Sequence, residues 1–113
     1  TALVTIDACT PENGCLEMVP GYHRFGLIGD KWTPLEDNAL DYIPIPTEPG
    51  DAVLFDSYAP HRSDPNLTDK PRRVLYVTYN RLSEGDHRRQ YYLDKSYPPD
   101  CERETGKEYV FRV

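Results

Sequence analysis

Arg73-Val74-Leu75-Tyr76-Val77-Thr78-Tyr79 is β-branched and aromatic throughout, the composition that suits a pleated, half-buried strand. Upstream, Ala52-Val53-Leu54-Phe55-Asp56 reads as a compact buried strand launched by the Pro49-Gly50-Asp51 turn. Asp41 to Pro46 (DYIPIP) carries two prolines, and a proline cannot donate to a ladder, so this segment is an edge strand or an extended connector. At the start of the chain, Thr1 to Ala8 alternates bulky and polar residues, the period of a strand. Pro11-Glu12-Asn13-Gly14 follows, and Asn-Gly is the strongest short hairpin signal, so Cys15 to Val19 is expected as the returning strand. Tyr58 to Ser63 is a further short extended piece, followed by a turn at Asp64-Pro65-Asn66.

Helical periodicity is nearly absent before residue 82. Residues 22 to 41 read as a long excursion with one short helical turn, and Glu84 to Lys95 as a short helix ended by Tyr97-Pro98-Pro99-Asp100. About six short strands joined by turns predict an all-β sandwich or barrel. A parallel α/β sheet would need helices between the strands. The expected organisation is a β core over residues 1–80 and an extension over 81–113.

The chain has 113 residues and a formal charge of −6. That length suits one domain, and the acidic balance argues against a nucleic-acid partner, whose footprint is normally basic. No apolar run approaches the roughly 20 residues of a membrane helix, and no secretory signal opens the chain. Thr1 lies inside an apolar run, so the sequence reads as a piece of something longer. Cys9, Cys15 and Cys101 are three cysteines at irregular spacing, a poor disulfide framework that also matches no zinc spacing. Reduced thiols in a cytoplasmic protein are therefore expected. Asn66-Leu67-Thr68 has the form of a glycosylation sequon but reads as a turn.

Three histidines are available, His23, His61 and His87. His23 follows a turn, and His87 stands between Asp86 and Arg88, so structural or solvated roles suit them. His61 follows a core strand, where a ring nitrogen can point into a barrel mouth as a metal ligand must. Arg72-Arg73 opens the clearest strand, and period-2 alternation sends one guanidinium inward. An inward guanidinium needs an anion, either an acidic side chain or a ligand carboxylate.

Asn13-Gly14-Cys15-Leu16-Glu17-Met18-Val19-Pro20-Gly21-Tyr22-His23-Arg24 resembles the "NG-x-L-x-x-x-PGSH-R/K" segment of the phytanoyl-CoA dioxygenase family. Gly50-Asp51-Ala52-Val53-Leu54-Phe55, followed by Pro60-His61-Arg62-Ser63, Asn66 and Arg72, resembles that family's second signature. The resemblance spans most of residues 1–80 and implies a double-stranded β-helix of the jelly-roll or cupin kind, incomplete at its N-terminus. It implies an oxidoreductase that uses Fe(II) and 2-oxoglutarate to hydroxylate a small molecule. It makes His61 the distal histidine of a two-histidine, one-carboxylate metal site, and Arg72 the clamp on the far carboxylate of 2-oxoglutarate. Arg73 then points the other way or pairs with an acid, and Ser63 and Asn66 support the intervening loop. Tyr22 departs from the family's serine. Beyond Thr78, segments such as Glu84-Gly85-Asp86, Tyr91-Tyr92 and Pro98-Pro99-Asp100 are similar to the organophosphonate dioxygenase branch.

One family element is absent. The residues two places after the three histidines are Phe25, Ser63 and Arg89, so no His-x-Asp or His-x-Glu pair exists to complete the iron site. A fragment that does not turn over alone is therefore expected. The alternative is a non-catalytic β-barrel binding module that has lost its metal. A cupin-type isomerase would need several histidines on adjacent strands, which this chain does not supply. Trp32 and Tyr42 are candidates for the substrate pocket.

Overall fold

The computed structural model describes residues 1–31, 33–36, 39–95 and 105–108. Trp32, the Tyr97-Pro98-Pro99-Asp100 helix stop and Cys101 lie outside the described residues. Among the described residues six short strands form two three-stranded antiparallel sheets: β1 (Ala2–Thr5), β2 (Leu16–Met18), β3 (Ile43–Ile45), β4 (Ala52–Leu54), β5 (His61–Arg62) and β6 (Val74–Val77). The first sheet has the order β4-β1-β6 and the second β3-β2-β5. Among the described residues the architecture is mostly antiparallel β with one α-helix, α1 (Arg88–Lys95). No helix among the described residues is long and apolar enough to cross a membrane.

The chain divides into two compact units. One comprises Thr1–Ile28 and Glu36–Tyr79 and contains both sheets; the other comprises Gly29–Leu35 and Asn80–Val113. In the second unit, α1 begins later than the polar run suggests because Gly85, at φ +85°, interrupts the chain after a 3-10 turn at Leu82–Glu84. Asp86 Oδ1 accepts from the Arg88 backbone N–H at 2.9 Å, satisfying one of the free donors at the helix start. Lys31 Nζ lies 2.8 Å from Asp94 Oδ2, and this partner holds the Asp94 carboxyl below its usual range.

In the first unit the strand assignments follow the alternation, but two expectations are overturned. Asn13-Gly14 does not close a hairpin: β1 pairs with β4 and β6, while β2 pairs with β3 and β5. The segment is instead a corner between sheets. Pro11 starts a 3-10 turn over Pro11–Asn13. The Asn13 side chain accepts from the Thr10 N–H and donates to the Ala8 carbonyl, both at 2.8 Å. A two-residue type I′ hairpin would need positive φ at both central residues, and here Gly14 takes +75° after a helical Asn13.

Ala52–Leu54 is likewise not a buried strand. It forms one edge of its sheet, and Leu54 is 79% exposed. An apolar run shows that a strand exists but not how many faces are covered. The expectation of an edge strand at residues 41–46 holds, since β3 is the outer strand of β3-β2-β5. Residues 22–41 contain a 3-10 turn at Tyr22–Phe25.

The core lies between the two sheets. Leu3, Cys9, Leu16 and Val19 are buried there or beside it, and the buried Thr5 hydroxyl donates to Thr47 Oγ1 at 2.8 Å across the gap. Cys9 and Cys15 are buried free thiols, and burial pushes the Cys15 thiol up.

Arg73 faces away from the gap and grips Asp7 with two guanidinium contacts at 2.7 and 2.9 Å, while its backbone N–H donates to the same carboxylate at 2.8 Å. These bonds lower the Asp7 carboxyl from 3.8 to about 2. A depressed folded-state value contributes stability that is complete above the unfolded value and disappears as pH falls through the folded one. Asp7→Asn should therefore flatten the part of the acid-unfolding profile between about pH 4 and pH 2. Urea melts at stepped pH read this directly, and an unchanged slope would refute the pairing.

Candidate functional site

The gap between the sheets encloses a cavity of about 100 Å³. Period-2 alternation decides which side chains line it. Leu3, Val53, Val74 and Tyr76 come from the first sheet, and Leu16, Ile45 and Ser63 from β2, β3 and the residue after β5. The registers Leu3↔Tyr76, Leu3↔Val53 and Leu16↔Ile45 put these side chains in facing rows. Cys9, Gly14, Thr47 and Arg72 line the same cavity.

Arg72 is sent inward by the alternation that turns Arg73 outward. Its Nη1 donates to the Asp64 carbonyl at 3.0 Å, which holds one arm of the guanidinium and leaves the other donors for a ligand. Gly14 makes room for it. An added Cβ there would lie 2.5 Å from Arg72 Nη1 and would collide with the Asp64 carbonyl oxygen. The loop between Asp64 and Arg72 is braced by Asn66, whose Oδ1 accepts from the Thr68 N–H at 3.0 Å and whose Nδ2 donates to the Lys70 carbonyl at 2.7 Å. The apparent sequon at Asn66 is therefore a side-chain-stapled turn.

His61 opens β5 and pairs with Met18, one row along from Leu16 and Ser63 on the same face of the sheet. Its ring meets Phe55, from the end of β4 in the other sheet, edge to face at 5.0 Å between centroids. His61 Nδ1 lies 2.8 Å from the Ala59 carbonyl oxygen. A carbonyl can only accept, so Nδ1 is the donor of this bond, which leaves Nε2 as the ring nitrogen free to take a metal. A backbone partner of this kind orients metal-ligating imidazoles. Arg72 lines the cavity, whereas His61 is exposed, on the same sheet face as Leu16 and Ser63, and is not among the lining residues.

The other candidates lie elsewhere. His23 and His87 are exposed. Tyr42 does not line the cavity; it stacks under the Arg62 guanidinium at 4.2 Å. Arg62, which alternates with His61 and Ser63, is also paired with Glu17 at 2.6 Å on the opposite face of the sheet. Among the described residues no group of three His, Cys, Asp or Glu side chains could hold a metal ion. His61 fits as one ligand of a divalent metal, and Arg72 in its apolar-walled cavity fits a carboxylate. Sequence reading gave Ser63 only a loop-supporting role and passed over Tyr76. Both face the cavity, and the signal was available: Tyr76 is in phase with Arg72, and Ser63 with His61.

A family model described as "Phytanoyl-CoA dioxygenase (PhyH)" matches residues 1–74. The chain belongs to this family. Among phytanoyl-CoA dioxygenase relatives, a methylphosphonate hydroxylase from Gimesia maris is 52% identical over 99 residues, 84% of this chain and 38% of that protein. A 2-aminoethylphosphonate dioxygenase from an uncultured bacterium is 44% identical over 115 residues, 96% of this chain and 44% of that protein. The dioxygenase lolE1 of Epichloe uncinata is 38% identical over 101 residues, 82% of this chain and 38% of that protein. Within the phytanoyl-CoA dioxygenase family the chain thus falls with the organophosphonate dioxygenase-like members, and it spans less than half the length of these relatives. No solved structure matches it.

Proposed function

We propose that this chain is the co-substrate-anchoring part of a non-haem Fe(II)/2-oxoglutarate dioxygenase that hydroxylates a small organophosphonate. The observation that carries the reading is the inward Arg72 guanidinium. It is partly tethered by Asp64, cradled by Gly14 and open to the inter-sheet cavity that the His61 face also borders. The planar fork of Arg72 suits the far carboxylate of 2-oxoglutarate better than a lysine would. His61 contributes one metal ligand through Nε2. The chemistry that iron and 2-oxoglutarate supply together is hydroxylation of a C–H bond coupled to decarboxylation of the co-substrate.

The facing sheets, ordered β4-β1-β6 and β3-β2-β5, are then part of a double-stranded β-helix. Residues 1–80 form this core, and residues 81–113 are an extension of it. A single imidazole leaves the metal short of protein ligands, so the chain alone binds co-substrate without turning it over. The substrate class rests on the two phosphonate-oxidising relatives at 52% and 44% identity. Calorimetric titration with 2-oxoglutarate tests the reading: saturable one-to-one binding is expected, with 2-oxobutyrate, which lacks the far carboxylate, binding at least tenfold more weakly. Equal binding of the two acids, or no saturable heat with 2-oxoglutarate into the millimolar range, would overturn it.

A further inference from the structure

β5 is only two residues long and lies at the edge of its sheet, yet it carries His61. The pairs Met18↔His61 and Glu17↔Arg62 join it to β2, and the Val19 N–H donates to the Pro60 carbonyl at 3.0 Å. An edge element with so few ladder bonds opens locally at little cost. On the face that carries His61, the Ala59 carbonyl and the Phe55 edge hold the ring. The opposite face carries a second set of contacts that the proposed chemistry does not use. Arg62 Nε donates to Glu17 Oε2 at 2.6 Å, and the guanidinium lies 4.2 Å from the centre of the Tyr42 ring. Tyr42 immediately precedes β3, and period-2 alternation puts it on the same face as Pro44, which stands opposite Glu17. One guanidinium thus spans all three strands, from β5 over β2 to the start of β3.

We propose that Arg62, through Glu17 and Tyr42, is a positioning residue that locks β5 onto β2 from behind, so that His61 presents Nε2 to a metal in a fixed direction. The inference rests on the reading of His61 as a metal ligand and adds to it the groups that hold its strand. A guanidinium suits both contacts, since its plane stacks on an aromatic face while its N–H meets a carboxylate. The ion pair is partly exposed, the Arg62 and Glu17 side chains at 44% and 23%, and such pairs contribute little to global stability. Its effect is therefore local, on the opening of a two-residue strand.

The test reads His61 by NMR in the wild-type protein, Arg62→Gln and Arg62→Lys, with Co(II) as the metal probe. In the wild type an Overhauser contact should join the His61 and Phe55 rings, and Co(II) should broaden the His61 ring signals. His87, which lies outside both sheets, is the internal reference. Arg62→Gln should weaken the ring contact and raise the Co(II) midpoint of His61 about threefold to fivefold, the scale of an exposed ion pair. Exchange of the Val19 amide should quicken by a similar factor, while the His87 midpoint stays unchanged and the melting temperature holds within a few degrees. Arg62→Lys, which keeps the charge beside Glu17, should recover most of the loss. An unchanged His61 midpoint in Arg62→Gln overturns the Arg62 assignment and leaves His61 as a ligand, even where Val19 exchange quickens. No broadening of His61 by Co(II) in the wild type overturns both readings. Should Arg62→Gln fail to fold, Glu17→Gln decides by the same signals: a His61 midpoint equal to that of the wild type rejects the lock.

Discussion

Arg72→Ala should weaken 2-oxoglutarate binding by about 2–5 kcal/mol, the usual consequence of truncating one member of a buried hydrogen-bonded charge pair. Arg72 is only partly covered, so solvent screening favours the lower half of that range, roughly thirtyfold to several-hundredfold in affinity. The loss should exceed that of Arg72→Lys, because an ammonium keeps the charge but not the planar fork. The Asp64 carbonyl, which now accepts from Nη1 at 3.0 Å, would also lose its partner. Calorimetry on the three proteins orders them as wild type, lysine, alanine. An alanine variant within threefold of the wild type would mean that the anion is held elsewhere.

Gly14→Ala should be the most damaging single methyl addition in the described fold. Gly14 has φ +75°, a left-handed conformation in which an L side chain costs about 1–2 kcal/mol. Added to that, the new Cβ would meet the Asp64 carbonyl and Arg72 Nη1, the latter at 2.5 Å, and overpacking of this kind costs about 1–3 kcal/mol more. Backbone on one side and a tethered guanidinium on the other leave little room to yield. The sum, about 2–5 kcal/mol, is a large fraction of the stability of a small domain. A thermal melt should show the midpoint fall by well over 5 °C. The surviving folded fraction should also bind 2-oxoglutarate more weakly, since Arg72 must move. Gly50→Ala is the control: it has a similar positive φ, +96°, but open space around it, so it should lose only the conformational part. Equal losses at the two glycines would show that the contact with Arg72 is not what constrains position 14.

What could be read from residues alone was local. Alternation and β-branching located Val74–Val77, Leu16–Met18 and Ala2–Thr5 because a strand's period is a property of a few consecutive side chains. Pro44 marked β3 as an edge because a missing N–H shows in the sequence itself. The pair Arg72-Arg73 announced one inward and one outward guanidinium, and the Asp7–Arg73 pair with the cavity-lining Arg72 shows that division in three dimensions. The spacing of His61 and Arg72 carried the family. Tertiary structure decided everything that depends on partners distant in the chain. It turned Asn13-Gly14 from a hairpin into a corner, because the strands on either side find their hydrogen bonds in different sheets. It left Leu54 exposed, because an apolar strand at a sheet edge is covered only where another layer meets it. It brought Tyr76 and Ser63 to the cavity from opposite sheets, and it set Gly14 against Arg72 across 58 residues of chain. Period and propensity act over a handful of neighbouring residues, whereas strand partners, cavities and close approaches are settled by which surfaces meet when the whole chain has packed.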